Sequence, residues 1–282
     1  AAFFLMSSSM GGLEEAAQKV IEVKPKHFQL GSGGLFEPSA WASYGLAISL
    51  TVIAFPHMFV RLMAAKSDAA LKGASRIYPP ALIALWLPAV LIGVWGVAAF
   101  PGLEGKASDK IFSLMVSNHL PPALGVVGFL AVLAAVMSTL DAQLLTLSSM
   151  LVRDCLKSDT PKHDVRYGRI FSVVLAVLVY LLAQVLGKSV FEVAFIAFCG
   201  YVTLVPTLFL GVRWKRFTVT GAVASIVLGN TVYFMGLAGW LPLFGFLPVF
   251  WALIVGIAAA VLGSLWSAPA DAELTLQAFG AD

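Results

Sequence analysis

Apolar residues recur along the chain in blocks of about twenty, the length that crosses the hydrocarbon core of a bilayer. Short polar or Gly/Pro-rich segments separate the blocks. They predict complete membrane helices over 39–64, 77–100, 121–152, 168–187, 190–212, 217–239 and 246–266. Residues 1–10 read as the last turns of one more spanning helix. Gly11-Gly12 closes it, and an amphipathic segment with Glu14, Glu15, Lys19 and Glu22 follows. A short polar-then-apolar stretch, 108–119, is predicted at the membrane surface. The 121–152 block is too long for a simple crossing at about 1.5 Å per residue, so it must tilt or project into water. Pro56 and Pro206 fall inside predicted spans. Proline has no N–H and clashes with the carbonyl four residues earlier, so both spans should kink or open there.

Composition fixes the class. The 282 residues are 60% hydrophobic and 12% charged, with a mean hydropathy of +0.91. A soluble domain carries about 25% charged residues. The expectation is an all-α polytopic bundle over 1–266 with a short cytosolic tail, 267–282. Its surroundings are the lipid bilayer of the plasma or inner membrane. The net charge of +3 calls for no nucleic-acid partner. With the first complete helix running inward, twelve of the 18 lysines and arginines, from Arg61 through Arg216, fall on one face. That asymmetry marks the face as cytosolic. Cys155 and Cys199 lack metal-ligand spacing, and four scattered histidines form no catalytic constellation, so no enzyme is expected. The apolar run Ala1-Ala2-Phe3-Phe4-Leu5-Met6 opens the chain inside a helix pattern, which predicts that an N-terminal part precedes it.

The chemistry concentrates in Ala134–Ser149, apolar enough for a membrane yet holding hydroxyls, an amide and a carboxylate. Polar groups at that depth are costly and usually face a bundle interior or a solute path. Ala135, Ser138 and Thr139 share one helix face at spacings of three and four. A peptide carbonyl keeps a second lone pair, so one carbonyl and two hydroxyls form half an oxygen cage for a small hard cation. The competing reading is hydroxyl back-bonding to the carbonyl four residues earlier. Asp141 adds a carboxylate whose ionisation at the bilayer centre costs at least about 2.5–3.5 kcal/mol. Phe55-Pro56-His57 marks a candidate solute-site break, against a plain proline kink. Arg61 fits an interfacial anchor, and Gln143, Gln184 and Asn230 fit helix-to-helix hydrogen bonds. Trp240, Trp251 and Trp266, near helix ends, fit interfacial belts.

Three segments resemble the sodium:solute symporter family, whose members include proline, pantothenate, acetate and sodium–glucose transporters. They are the Met137-Ser138-Thr139-Leu140 run with Gln143-Leu144-Leu145, Ser148-Ser149 and Asp154; Phe55-Pro56-His57 with Arg61 and Ala64-Ala65-Lys66-Ser67; and, loosely, the hydrophobic layout from 39 to about 212. The resemblance implies a LeuT-type fold of two inverted five-helix repeats. This chain corresponds to its C-terminal part and lacks most of the first repeat. By the same resemblance the Ala135 carbonyl, Ser138 and Thr139 bind Na⁺ as coupling ion, with the remaining ligands in the missing N-terminal repeat. Asp141 stands where serine is frequent. Thr51 and Ile48 occupy the neighbourhood where the glucose branch carries its sugar-binding aromatic and amide residues, which argues against a sugar.

The expected function is sodium-coupled symport of a small organic solute such as an amino acid or carboxylate. The alternatives are a membrane sensor built on the same bundle or a sugar-type sodium symporter. A soluble kinase region after Ser267 would favour the sensor, and the tail is short. A channel would show rings of like charge or a carbonyl filter, and the sequence shows neither.

Overall fold

A computed structural model describes residues 2–29, 31, 37–156 and 161–268. The expected tail, 267–282, lies almost wholly outside them. The described residues form helices and connecting turns. Six helices are long and apolar enough to cross a membrane, or seven with the bent pair α3 (Pro38–Ala54) and α4 (Pro56–Met63) counted as one span. The others are α5 (Asp68–Ala99), α7 (Pro122–Met150), α8 (Pro161–Val185), α9–α10 (Val190–Val202 and Val205–Arg213), α11 (Val219–Leu237) and α12 (Pro248–Trp266). Each predicted block therefore falls on a helix, or for 39–64 a bent helix pair, long and apolar enough to cross. The chain divides into two compact units, one of residues 1–29 and 59–190, the other of 30–58 and 191–282.

In the first unit, α1 (Ala2–Ser9), α2 (Leu13–Val23), α5 and α6 (Ile111–His119) enclose a small core. Met6, Ala16, Trp95, Met115 and Val116 are its buried centre, and Phe3 stacks on Trp95 at 5.2 Å. The 108–119 stretch thus does more than lie on a surface. Its apolar half turns Met115 and Val116 into the core, because burying them removes apolar area from water at about 25 cal/mol per Å². α5 begins nine residues before the predicted start of its span. Ser67 caps it, its hydroxyl oxygen accepting from the Ala70 N–H at 3.2 Å, with Asp68 in the first turn. Such a cap satisfies an otherwise orphaned donor, and an acidic first turn complements the helix dipole. α7 runs on into a π-turn, Leu151–Leu156, and packs on α8 through Ser148, Val152 and Gly168. The Asp109 carboxylate accepts from the Val190 N–H at 3.0 and 3.2 Å, capping the start of α9.

The second unit is built on the hairpin of α11 and α12. Gly221, Ser225, Gly229 and Gly236 are buried along α11 and face Pro248, Ala252, Gly256, Ala260 and Ser264. In lipid no hydrophobic force separates helix from tail, so close backbone approach supplies the attraction. A Cβ added at Gly221 would collide with the Ser264 hydroxyl and lie 2.6 Å from the Ala260 carbonyl oxygen. Gly221→Ala is therefore expected to lower the thermal unfolding midpoint in detergent, with a cost of about 1–3 kcal/mol from overpacking. Gly128→Ala, on α7 with nothing within 4 Å, is the control. There the higher helix propensity of alanine should leave the midpoint unchanged or raise it. Equal shifts in both variants would remove the packing explanation.

The loop after α10 clasps this hairpin. The Thr218 N–H donates to the Ser264 hydroxyl at 3.2 Å, and Arg216 donates to the Leu265 carbonyl at 3.2 Å. Asn230 bonds out of α11 to the break between α9 and α10 rather than to another helix, its amide donating to the Thr203 hydroxyl at 2.9 Å. Trp240 and Trp266 are exposed near helix ends, and the Trp251 indole donates to the Leu243 carbonyl.

Candidate functional site

The first site belongs to the second unit and forms where α3 stops. Pro56 has no N–H to offer the Val52 carbonyl, so the helix cannot continue through it. Phe55 takes an extended conformation (φ −68°, ψ 121°), and α4 restarts at Pro56, bent by 55° from α3. Proline is well placed there, because the first position of a helix needs no intrahelical N–H. The Phe55 ring is held edge-on by Tyr201 at 4.9 Å and Phe198 at 5.2 Å, with the His57 ring 5.4 Å away. One turn earlier, the buried Thr51 hydroxyl lies 2.7 Å from the Ala47 carbonyl and 3.0 Å from the Phe198 carbonyl. That contact fixes the end of α3 against α9. Phe55, Pro56 and His57 are all half-buried, at a helix end whose last carbonyls have lost their next turn.

A second interruption lies in the same unit at Thr203-Leu204, between α9 and α10. Pro206 sits in the first turn of α10, which is the break expected of it. The Thr203 hydroxyl donates to the Gly200 carbonyl at 2.7 Å while accepting from Asn230, so this break is internally satisfied.

The other site is in the first unit, midway along α7. Ala135, Ser138, Thr139 and Asp141 are all exposed. The Thr139 hydroxyl donates to the Ala135 carbonyl at 3.2 Å, so two of the three expected cation ligands already touch. That bond is also the back-bonding arrangement: it occupies the carbonyl lone pair that the helical bond leaves over, so an ion at the carbonyl displaces the hydroxyl proton, while the hydroxyl's own lone pairs stay available. Asp141 lies one turn beyond Ser138, on the flank leading toward the α8 contact at Ser148. Ser148 is buried and donates to the Leu145 carbonyl at 3.0 Å. Arg61 is exposed in the last turn of α4, as an interfacial anchor would be.

The partners of Phe55 were not readable from the sequence. Phe198 and Tyr201 are more than 140 residues from it and sit in an apolar run where any aromatic looks like core. The signal that was present is the helix-breaking Pro206 close by, which marks that region as irregular.

A multi-pass helical protein with one span opened at a proline and a hydroxyl pair midway along another has the build of a membrane transporter. The comparisons with known proteins give the particular family. The model of the sodium:solute symporter family matches residues 2–229, the N-terminal four fifths of this chain, ending within α11. The chain is 28% identical over 264 residues to the sodium/pantothenate symporter of Haemophilus influenzae, covering 91% of this chain and 54% of that protein. It is 32% identical over 230 residues to the sodium/proline symporter of Escherichia coli, covering 77% of this chain and 45% of that protein. It is 32% identical over 267 residues to the high-affinity proline transporter PutP of Bacillus subtilis, covering 89% and 53%. The chain belongs to the sodium:solute symporter family. It is a multi-pass membrane protein of a family of transporters rather than enzymes, and it spans about half the length of the curated relatives it matches.

Proposed function

We propose that these residues carry half of a sodium-driven symporter for a small carboxylate-bearing solute, of the kind that proline and pantothenate represent. The observation that carries the reading is the Ala135–Ser138–Thr139 face, an uncharged oxygen cluster exposed midway along a membrane span. The Ala135 carbonyl and the two hydroxyls supply part of a Na⁺ shell. Asp141 adds a carboxylate nearby that strengthens or tunes the site. A small hard cation takes oxygen ligands from several directions, so one helix cannot complete the shell. We place the remaining ligands in a first repeat, N-terminal to these residues, equivalent to the half of the relatives that the chain does not cover. The whole then forms a single LeuT-type bundle. Na⁺ bridges the two repeats and favours the outward-open arrangement through a difference in affinity between states. Solute binds at the opened backbone around Phe55, Pro56 and His57, as broken helices allow. Rocking of one repeat against the other releases both to the cytosol.

The test is uptake of radiolabelled proline and pantothenate into proteoliposomes, with the chain alone and with the chain joined to its first repeat. Uptake is expected only in the joined form and only with an inward Na⁺ gradient. Uptake that persists when K⁺ replaces Na⁺ would remove the sodium coupling. Robust uptake by the 282 residues alone would remove the half-site reading.

A further inference from the structure

The first unit holds a second polar site that the transport reading does not use. Where α7 passes into its π-turn, a cleft of about 760 Å³ opens against the start of α8. Arg153 from the π-turn and Arg169 from α8 line it, together with Asp164. Both guanidinium groups belong to exposed residues, while the Asp164 Oδ1 is cut off from solvent and has no hydrogen-bond partner. Among the described residues no ion pair within 4 Å joins Asp164 to either arginine. A shielded carboxylate oxygen without a donor is costly, so a ligand that brings a donor to Asp164 is favoured. Leu145, Val165 and Val173, all exposed, give the cleft an apolar side.

Position decides what fits. α8 begins Pro161-Lys162-His163-Asp164-Val165-Arg166-Tyr167-Gly168-Arg169 and turns apolar from Ile170. The charged rim therefore lies at headgroup level on the face richest in lysine and arginine, and the apolar wall runs into the hydrocarbon. We propose that this cleft binds a phospholipid whose headgroup carries both a phosphate and a primary ammonium, as phosphatidylethanolamine does. Arg153 and Arg169 take the phosphate, because guanidinium groups suit its oxygens. The ammonium donates to Asp164. An acyl chain lies along Leu145, Val165 and Val173. Phosphatidylglycerol would serve the arginines but offer Asp164 only a neutral glycerol hydroxyl, a weaker donor than an ammonium. The trimethylammonium of phosphatidylcholine has no N–H to give.

The experiment is native mass spectrometry of the purified 282-residue chain in micelles doped with equal amounts of the three lipids. Phosphatidylethanolamine is expected to be retained about tenfold over phosphatidylcholine, the worth of one charge-assisted hydrogen bond. It should also be retained over phosphatidylglycerol. Asp164→Asn should bring phosphatidylethanolamine down to the level of phosphatidylglycerol. Arg153→Gln with Arg169→Gln should lower retention of all three. Arg166→Gln, on the same helix but off the cleft, should change nothing. Equal retention of phosphatidylethanolamine and phosphatidylcholine by the unaltered chain overturns the proposal with no variant needed. Preference for phosphatidylglycerol, or an Asp164→Asn chain that keeps the wild-type ranking, overturns it as well.

Discussion

On the proposed Na⁺ site, Ser138→Ala and Thr139→Ala in a transport-competent protein carrying these residues should each raise the Na⁺ concentration for half-maximal uptake roughly tenfold, a loss of about 1.4 kcal/mol per oxygen ligand. Ser148→Ala should leave the Na⁺ activation curve in place. Ser148 is nine residues beyond Thr139, about 14 Å along the helix. It is buried and its proton is committed to the Leu145 carbonyl. Asp141→Asn separates the two roles of the carboxylate. If Asp141 is ionised beside the ion, Na⁺ affinity falls. If it is a protonated structural acid, the near-isosteric amide leaves the curve unchanged. Initial uptake rates against Na⁺ concentration decide all four variants. The ion-site reading is falsified if both hydroxyl substitutions leave the curve where it was.

Pro56→Ala is expected to reduce solute uptake at least tenfold while leaving protein yield intact. Alanine restores an N–H to the Val52 carbonyl and removes the ring that blocks the helix. Alanine is favoured over proline by about 3 kcal/mol in a helix interior, enough to draw the 55° bend between α3 and α4 toward a continuous helix. Phe55 would then leave its seat between Phe198 and Tyr201. Pro56→Gly should retain more transport than Pro56→Ala, since glycine also gives an N–H but disfavours the helix. Solute titrations of uptake check both. Wild-type uptake by Pro56→Ala would show that the break is only a packing kink.

The spans were legible because their lengths are set by bilayer thickness, which neither packing nor partners can alter. Both helix breaks were legible because proline cannot donate to the turn before it. The start of α5 is hidden in the sequence, since Asp68, Lys72 and Arg76 look like loop and only the Ser67 cap announces a helix. Its internal Pro79, Pro80 and Pro88 did not stop it. The buried face of α6 was hidden by its short length. At the proposed ion site, spacing alone put Ala135, Ser138 and Thr139 on one face, because helix periodicity is local. The aromatic seat of Phe55 and the cleft at Asp164 depend on which helices meet. Arg153 and Arg169 therefore counted only toward the sidedness of the loops until α7 and α8 were seen together.

The bond from Thr139 to the Ala135 carbonyl bears on biogenesis. A membrane segment leaves the translocon sideways into lipid, where every polar group must already have a partner. An ionised carboxylate, such as Asp141 would be, costs about 2.5–3.5 kcal/mol at the bilayer centre, and a hydroxyl costs less. A hydroxyl that borrows its own helix's carbonyl crosses as a nearly neutral passenger, and on the proposed Na⁺ site it exchanges that bond for the ion later. On the proposed Na⁺ site, the Thr139 hydroxyl is thus accommodated in lipid before an ion reaches it.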